Sequence, residues 1–137
     1  MGSFFLYGIA PSTYTFNYDV FGKVTKVLAG NKVLAIYTYL GNNGKLSKIT
    51  YANGFVEEYV YDTLENLSEI WYTENSTRSL AYSYEYTSRG LIHKFEDHII
   101  GKAYTYKYDA NDRLISYTEY DLDDPFMDFT DYNSRYS

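Results

Sequence analysis

The sequence predicts an all-β fold, a repetitive antiparallel β-hairpin meander of about ten strands in a twisted or curled sheet. Three observations carry that expectation. The composition is rich in strand-forming aromatics, with 19 Tyr, 8 Phe and 1 Trp making 20% of the chain, against 2 Pro and 2 Met. A short aromatic motif recurs five times along the chain. A turn signal follows every apolar run, and no amphipathic stretch of helical period has useful length.

The five copies are FNYDVFGKVTKV (16–27), YTYLGNNGKLSKI (37–49), YVYDTLENLSEI (59–70), YEYTSRGLIHKF (84–95) and YKYDANDRLISY (106–117). Their second aromatic is Tyr18, Tyr39, Tyr61, Tyr86 and Tyr108, a period of about 22 residues. The aliphatic that follows is Val24, Leu46, Leu67, Ile92 and Leu114, recurring in step.

Each copy reads as strand, turn, strand. The first copy alternates up to Tyr18, then Asp19 opens a turn by offering its carboxylate to backbone N–H groups two residues on. Gly22 sits where that turn needs a positive φ, and Val24 starts the second strand. Gly30-Asn31 turns the chain into the second copy, in which Tyr37 and Tyr39 share one face and Thr38 the other, Gly44 closes the turn and Leu46 restarts. Asn53-Gly54, a strong hairpin signal, leads to the third copy, with Tyr61, Asp62 and Leu67 in the repeat positions and Glu65 replacing Gly. The polar stretch Glu74–Thr77 precedes the fourth copy, with Tyr86, Gly90 and Ile92. Asp97 to Gly101 precedes the fifth, with Tyr108, Asp109, Arg113 and Leu114, and there Asp112 replaces Gly.

Leu46 and Ile49 differ by three positions, as do Leu67 and Ile70, and Ile92 and Phe95. Strict alternation would put the two members on opposite faces. Either a bulge intervenes in each copy, or both faces of the sheet carry apolar groups. Nothing in the chain reads as a helix to cover such a sheet, so curling, a second copy or neighbouring repeats are expected to do so.

The balance of charge excludes several functions. Twelve basic residues against 18 acidic give a formal charge of -6, opposite to the basic face that nucleic acid or an anionic membrane attracts. The absence of Cys removes disulfides, thiolate chemistry and cysteine-bound metals. No apolar run reaches the length of a membrane helix, and Phe4 to Ala10 lacks the basic flank of a secretory signal. Residues 1–13 are expected to be a leader strand or cloning remnant, 14–120 one domain of five repeats, and 121–137 an acidic, partly disordered tail.

Candidate chemistry is thin. His93 and His98 lack a third ligand and are expected to be ordinary edge residues. Asp121, Asp123, Asp124 and Asp128 lack the Gly and distal Glu of an EF-hand loop. Glu57 and Glu58 are adjacent on a strand and point apart, unlike a glycosidase pair. No catalytic, metal or cofactor-binding residue is assigned, and no enzyme activity is expected. The tyrosine rows could stack on sugar faces, but recurrence in every copy favours cross-strand packing, with hydroxyls reaching water.

The motif Y-x-Y-D-x-x-G-[KR]-[LV] over residues 14 to 120 resembles the YD-repeat, or RHS, family of bacterial polymorphic toxins, insecticidal toxin subunits and animal teneurins. Tyr18-Asp19 with Gly22-Lys23-Val24, and Tyr108-Asp109 with Arg113-Leu114, carry the resemblance best. It implies hairpins that build the wall of a hollow β-shell, and a structural or protein-interaction role enclosing or presenting another polypeptide. The intervening text looks like versions from Gram-positive bacteria, implying a secreted or cell-surface parent protein. Leu40 and Thr87 depart from the repeat Asp, and Asp124-Pro125-Phe126-Met127 does not match the family's autoproteolytic core. Open end strands lead to an expectation of homo-oligomerisation, with a two-fold dimer favoured. The alternative is a carbohydrate-binding or adhesion module using a tyrosine-lined face.

Overall fold

The computed structural model describes residues 13–124. They form ten strands in one open antiparallel sheet, in chain order. The strands are β1 (Tyr14–Tyr18), β2 (Val24–Ala29), β3 (Lys32–Tyr39), β4 (Leu46–Tyr51), β5 (Val56–Tyr61), β6 (Leu67–Glu74), β7 (Thr77–Tyr86), β8 (Ile92–Asp97), β9 (Lys102–Tyr108) and β10 (Leu114–Asp121). Each of the five copies supplies one hairpin, as its strand–turn–strand pattern predicts. The expected leader lies outside the described residues up to position 12, as does the expected tail from position 125; Asp121, at the tail's start, closes β10. The described residues include no helix long and apolar enough to cross a membrane.

Four of the five turns inside the copies share one construction. Asp19 Oδ1 accepts from the N–H groups of Phe21 and Lys23 at 2.9 and 3.0 Å. Asp62 does the same for Leu64 and Asn66, and Asp109 for Asn111 and Arg113, all at 2.9 Å. Thr87, which departs from the Asp pattern, substitutes its hydroxyl, accepting from Arg89 and Leu91 at 3.3 and 3.2 Å. Leu40 has no such oxygen, and its turn closes instead through Leu40 N–H to Lys45 and Gly44 N–H to Leu40, with Asn43 Oδ1 holding the Lys45 amide.

The position-specific backbone demand is met in every copy. Gly22, Gly44 and Gly90 have φ of 81°, 72° and 83°, and the replacements Glu65 and Asp112 are held at 66° and 63°. A side chain in this region costs roughly 1–2 kcal/mol because Cβ crowds the carbonyl. Between copies the turns vary. Gly30 takes positive φ at the first loop position, Asn75 and Ser76 both do so in a two-residue loop, and Gly54 ends a three-residue loop closed by Tyr51 and Phe55.

A bulge settles the three-residue spacing. Tyr18 stands opposite Val24, Tyr39 opposite Leu46, Tyr86 opposite Ile92 and Tyr108 opposite Leu114, with a register shift in each pairing. The shift leaves Thr25, Ser47, His93 and Ile115 without a partner in the register. Leu46 therefore shares a face with Ile49, opposite Tyr39 and Tyr37, and Ile92 shares one with Phe95, opposite Tyr86 and Tyr84. The repeat tyrosines and the repeat aliphatics thus collect on one face.

By compactness the described chain divides into two units, one holding residues up to Glu58 with Thr73–Thr77, the other Tyr59–Tyr72 with residues from Arg78 onward. In the first, Ala35 and Ile49 are buried on the tyrosine face. In the second, Ala81, Ala103, Thr105 and Tyr120 are buried. Ala103 and Thr105 are short side chains standing in register beside longer ones, Glu96 and Tyr120 for the first, Lys94 for the second.

Glu65→Gly is expected to stabilise the chain by about 1 kcal/mol, because it removes the Cβ conflict at positive φ. Gly22→Ala should destabilise by a similar amount. Urea unfolding followed by circular dichroism measures both; a Glu65→Gly variant that loses as much as Gly22→Ala would refute the shared turn geometry.

Candidate interaction surface

The tyrosine face is built copy by copy. On β3 and β4 the pairs are Tyr37–Ile49 and Ala35–Tyr51. In the second unit the rings make a ladder across strands. Tyr72 meets Tyr82 edge-on at 6.1 Å, and Tyr82 and Tyr84 stack on Phe95 at 5.9 and 5.1 Å. Phe95 then stacks on Tyr104 at 5.9 Å. Such spacings are the favourable offset arrangements, each adding about 0.5–1.5 kcal/mol beyond area burial.

The second tyrosine of a copy does more than pack. Tyr39 donates its hydroxyl to the Val24 carbonyl at 2.7 Å, Tyr86 to Leu67 at 2.6 Å, and Tyr108 to Ile92. Each acceptor is the repeat aliphatic of the preceding copy. The sequence reading sent these hydroxyls to water, and the periodicity alone gives no sign of their destination. The offset from aliphatic to the next copy's tyrosine varies, 15 for Val24–Tyr39, 19 for Leu67–Tyr86 and 16 for Ile92–Tyr108, so spacing alone did not mark the pair.

Cations also link neighbouring copies. Lys23 Nζ donates to the Gly44 carbonyl at 2.6 Å and lies 5.1 Å from the centre of the Tyr39 ring. Arg89 donates to the Ala110 carbonyl at 3.1 Å and pairs with Asp112 at 3.1 Å. Within its own turn, Arg113 pairs with Asp109 at 2.8 Å. Arg78 lies over Trp71 at 3.9 Å.

The opposite face carries a polar group of five on β7, β8 and the loop after it. Lys94 reaches Glu96 at 2.9 Å and Glu85 at 3.3 Å, while Glu96 accepts from Ser83 at 2.9 Å and contacts His98 at 3.2 Å. Burial alone would lower Lys94, but Glu96 and Glu85 hold its ammonium above the usual range. Burial alone would raise Glu96, but Lys94, Ser83 and His98 hold its carboxyl below the ordinary value. His93 occupies the bulge of its copy. No group of three or more His, Asp or Glu among the described residues could hold a metal ion. Two open depressions occur in the first unit, of about 340 Å³ beside Lys32, Leu34 and Tyr51 and about 310 Å³ beside Asp19, Lys23 and Tyr39.

The surface that remains open is aromatic and aliphatic. On β1, Tyr14, Phe16 and Tyr18 are exposed on one face, and on β10 so are Leu114, Ile115 and Tyr117. Val20 and Phe21 project from the first turn, 92% and 82% exposed, where turn chemistry alone would place polar groups. Ile99 and Ile100 are exposed at the tip between β8 and β9.

No family model matches the chain, and no curated protein matches it at a significant level. Solved structures do. The TcdB2-TccC3 complex superposes with a TM-score of 0.65 at 21% identity, and the same complex with Cdc42 at 0.63 and 20%. The Tc holotoxin pore of Photorhabdus luminescens gives 0.64 at 21%. The likeness is one of fold. It agrees with the YD-repeat resemblance, because the TcdB2-TccC3 complex contains RHS/YD-repeat shells. Each superposition covers 77% of this chain and 6% of the toxin chain, so this chain spans a small fraction of the length of the proteins it resembles.

Tyr86→Phe is expected to cost about 1 kcal/mol, since the ring stays and the carbonyl of Leu67 loses its donor. Tyr82→Phe serves as the control, and equal stability of the two variants in urea titrations would remove the hydroxyl from the account. Burial raises Tyr39, Tyr51, Tyr61, Tyr84, Tyr86, Tyr104, Tyr106 and Tyr108 above the ordinary phenol value of 10.0. The folded chain therefore holds these protons more tightly than the unfolded chain. Stability should be complete below roughly pH 10 and fall as pH rises through the raised values. Tyrosinate absorbance should appear together with loss of the strand circular dichroism signal; tyrosinate formed at the ordinary value in a fold of unchanged stability would contradict this.

Proposed function

We propose that the chain is a non-enzymatic structural and protein-interaction module, a piece or short relative of a YD-repeat β-shell wall, toxin-associated, that encloses or presents another polypeptide. The observation that carries this reading is the recurrence of one bulge in four copies, one side-chain-closed turn in four, and one inter-copy tyrosine bond at three junctions, which is the construction of a wall. Fold likeness to a region of the TcdB2-TccC3 complex supports it. The partner is protein, and self-association through the end strands belongs to the same reading.

One observation favours a second reading. Tyr14, Phe16 and Tyr18 make a contiguous exposed aromatic row, the arrangement a carbohydrate-binding or adhesion module would use.

The two are separated by presenting the chain with a reduced, carboxymethylated polypeptide and with a glycan array. The wall reading expects retention of the polypeptide, lost on the double change Tyr14→Ser with Phe16→Ser while the fold persists by circular dichroism. Glycan binding abolished by the same change, with no polypeptide retained, would establish the second reading instead.

A further inference from the structure

Three junctions between copies share one register. The residue two places after a copy's aliphatic stands opposite the residue three places before the next copy's second tyrosine: Lys26 with Ile36, Lys48 with Glu58, Lys94 with Thr105. One step further gives Val27 with Ala35, Ile49 with Glu57, and Phe95 with Tyr104. Across such junctions the tyrosine hydroxyl reaches back to the aliphatic's carbonyl, as Tyr39 does to Val24 and Tyr108 to Ile92.

The first and last strands carry the two unmatched halves of this junction. Among the described residues, β1 has only β2 as neighbour in the sheet order, and β10 only β9. Tyr18 is a second tyrosine with no earlier copy among the described residues; its side chain is 61% exposed and makes no hydrogen bond among them. Leu114 is a repeat aliphatic, 53% exposed, with no later repeat tyrosine among the described residues to meet its carbonyl.

We propose that β10 of one copy of this chain pairs antiparallel with β1 of a second copy in the internal register, the Tyr18 hydroxyl of the second donating to the Leu114 carbonyl of the first. The proposal rests on the wall-building reading and specifies how the wall is continued. The register sets Ser116 of one copy opposite Thr15 of the next, and Tyr117 opposite Tyr14. The latter pair falls on the aromatic face, extending the ladder as Phe95 and Tyr104 do. The two surfaces are unlike, so the contact is head-to-tail. A two-fold dimer would place β1 against β1, or β10 against β10, and would bring no tyrosine hydroxyl to a repeat carbonyl. A head-to-tail contact leaves one free β1 and one free β10 and continues past two copies unless it closes into a ring.

The chain has no Cys, so engineered pairs report without background. Thr15→Cys and Ser116→Cys are made separately, both at exposed polar positions. Under mild oxidation the mixed variants should form a disulfide-linked pair, and neither variant alone should do so. Adding Tyr18→Phe to the Thr15→Cys chain should raise the concentration needed for half cross-linking about tenfold, the factor equivalent to ~1.4 kcal/mol. Cross-linking of either variant alone would show a two-fold contact and overturn the proposal, as would a mixture that stays uncross-linked and monomeric by light scattering. Polypeptide retention on the same samples keeps the two readings apart. A monomer that retains polypeptide defeats only the junction, and a cross-linked assembly that retains none defeats only the cargo role.

Discussion

A bulge takes one residue out of the strand ladder beside Val24, Leu46, Ile92 and Leu114. A backbone carbonyl held away from water is costly without a donor. The second tyrosine of the following copy supplies it: Tyr39 for Val24, Tyr86 for Leu67, Tyr108 for Ile92. The same bulge turns the repeat aliphatic onto the face of the tyrosines. One irregularity thus gives each copy its apolar face and its attachment to the copy before it.

That coupling explains why the ring is tyrosine rather than leucine. The described residues form one ten-stranded sheet. A leucine face left open would favour indiscriminate association. Tyrosine buries a comparable area against neighbouring rings while its hydroxyl meets a carbonyl or water. The stacks of Tyr82, Tyr84, Phe95 and Tyr104 show rings covering one another across three strands. Burial of the Tyr84 and Tyr104 phenols raises their proton affinity, so these two rings hold in the neutral state and oppose ionisation.

Much of this was legible in the residues. The period placed all ten strands, Asp19, Asp62 and Asp109 marked their turns, and the positive-φ position was readable even where Glu65 and Asp112 stand in it, because the other copies put Gly there. The Leu46/Ile49 spacing raised the question of a bulge without answering it, since alternation cannot distinguish a bulge from a two-faced strand until the partner's register is known. Thr87 looked like a loss of the turn oxygen, yet its hydroxyl takes the same two amides. The carbonyl acceptors of the tyrosines, and the clasps of Lys23 and Arg89 onto the next turn, lie between copies. A repeat read one copy at a time describes what each unit contains, and these bonds belong to none of them singly.

A repeat array whose copies each carry half of two junctions has ends of different chemistry. Terminal repeats commonly present a polar outer surface, which blocks further stacking. Here β1 is YTFNY, without a charge or a proline to blunt its edge, and Tyr14, Phe16 and Tyr18 are exposed along it. At the other end Leu114, Ile115 and Tyr117 are exposed, while Glu119 and Asp121 sit near the far end of the strand with Lys102 as their counter-charge. The end strands keep the repeat grammar that interior strands use, and carry none of the changes that would stop it. Among the described residues these two edges have the chemistry of interior junctions, and their sequence is suited to being covered by another strand pair of the same kind.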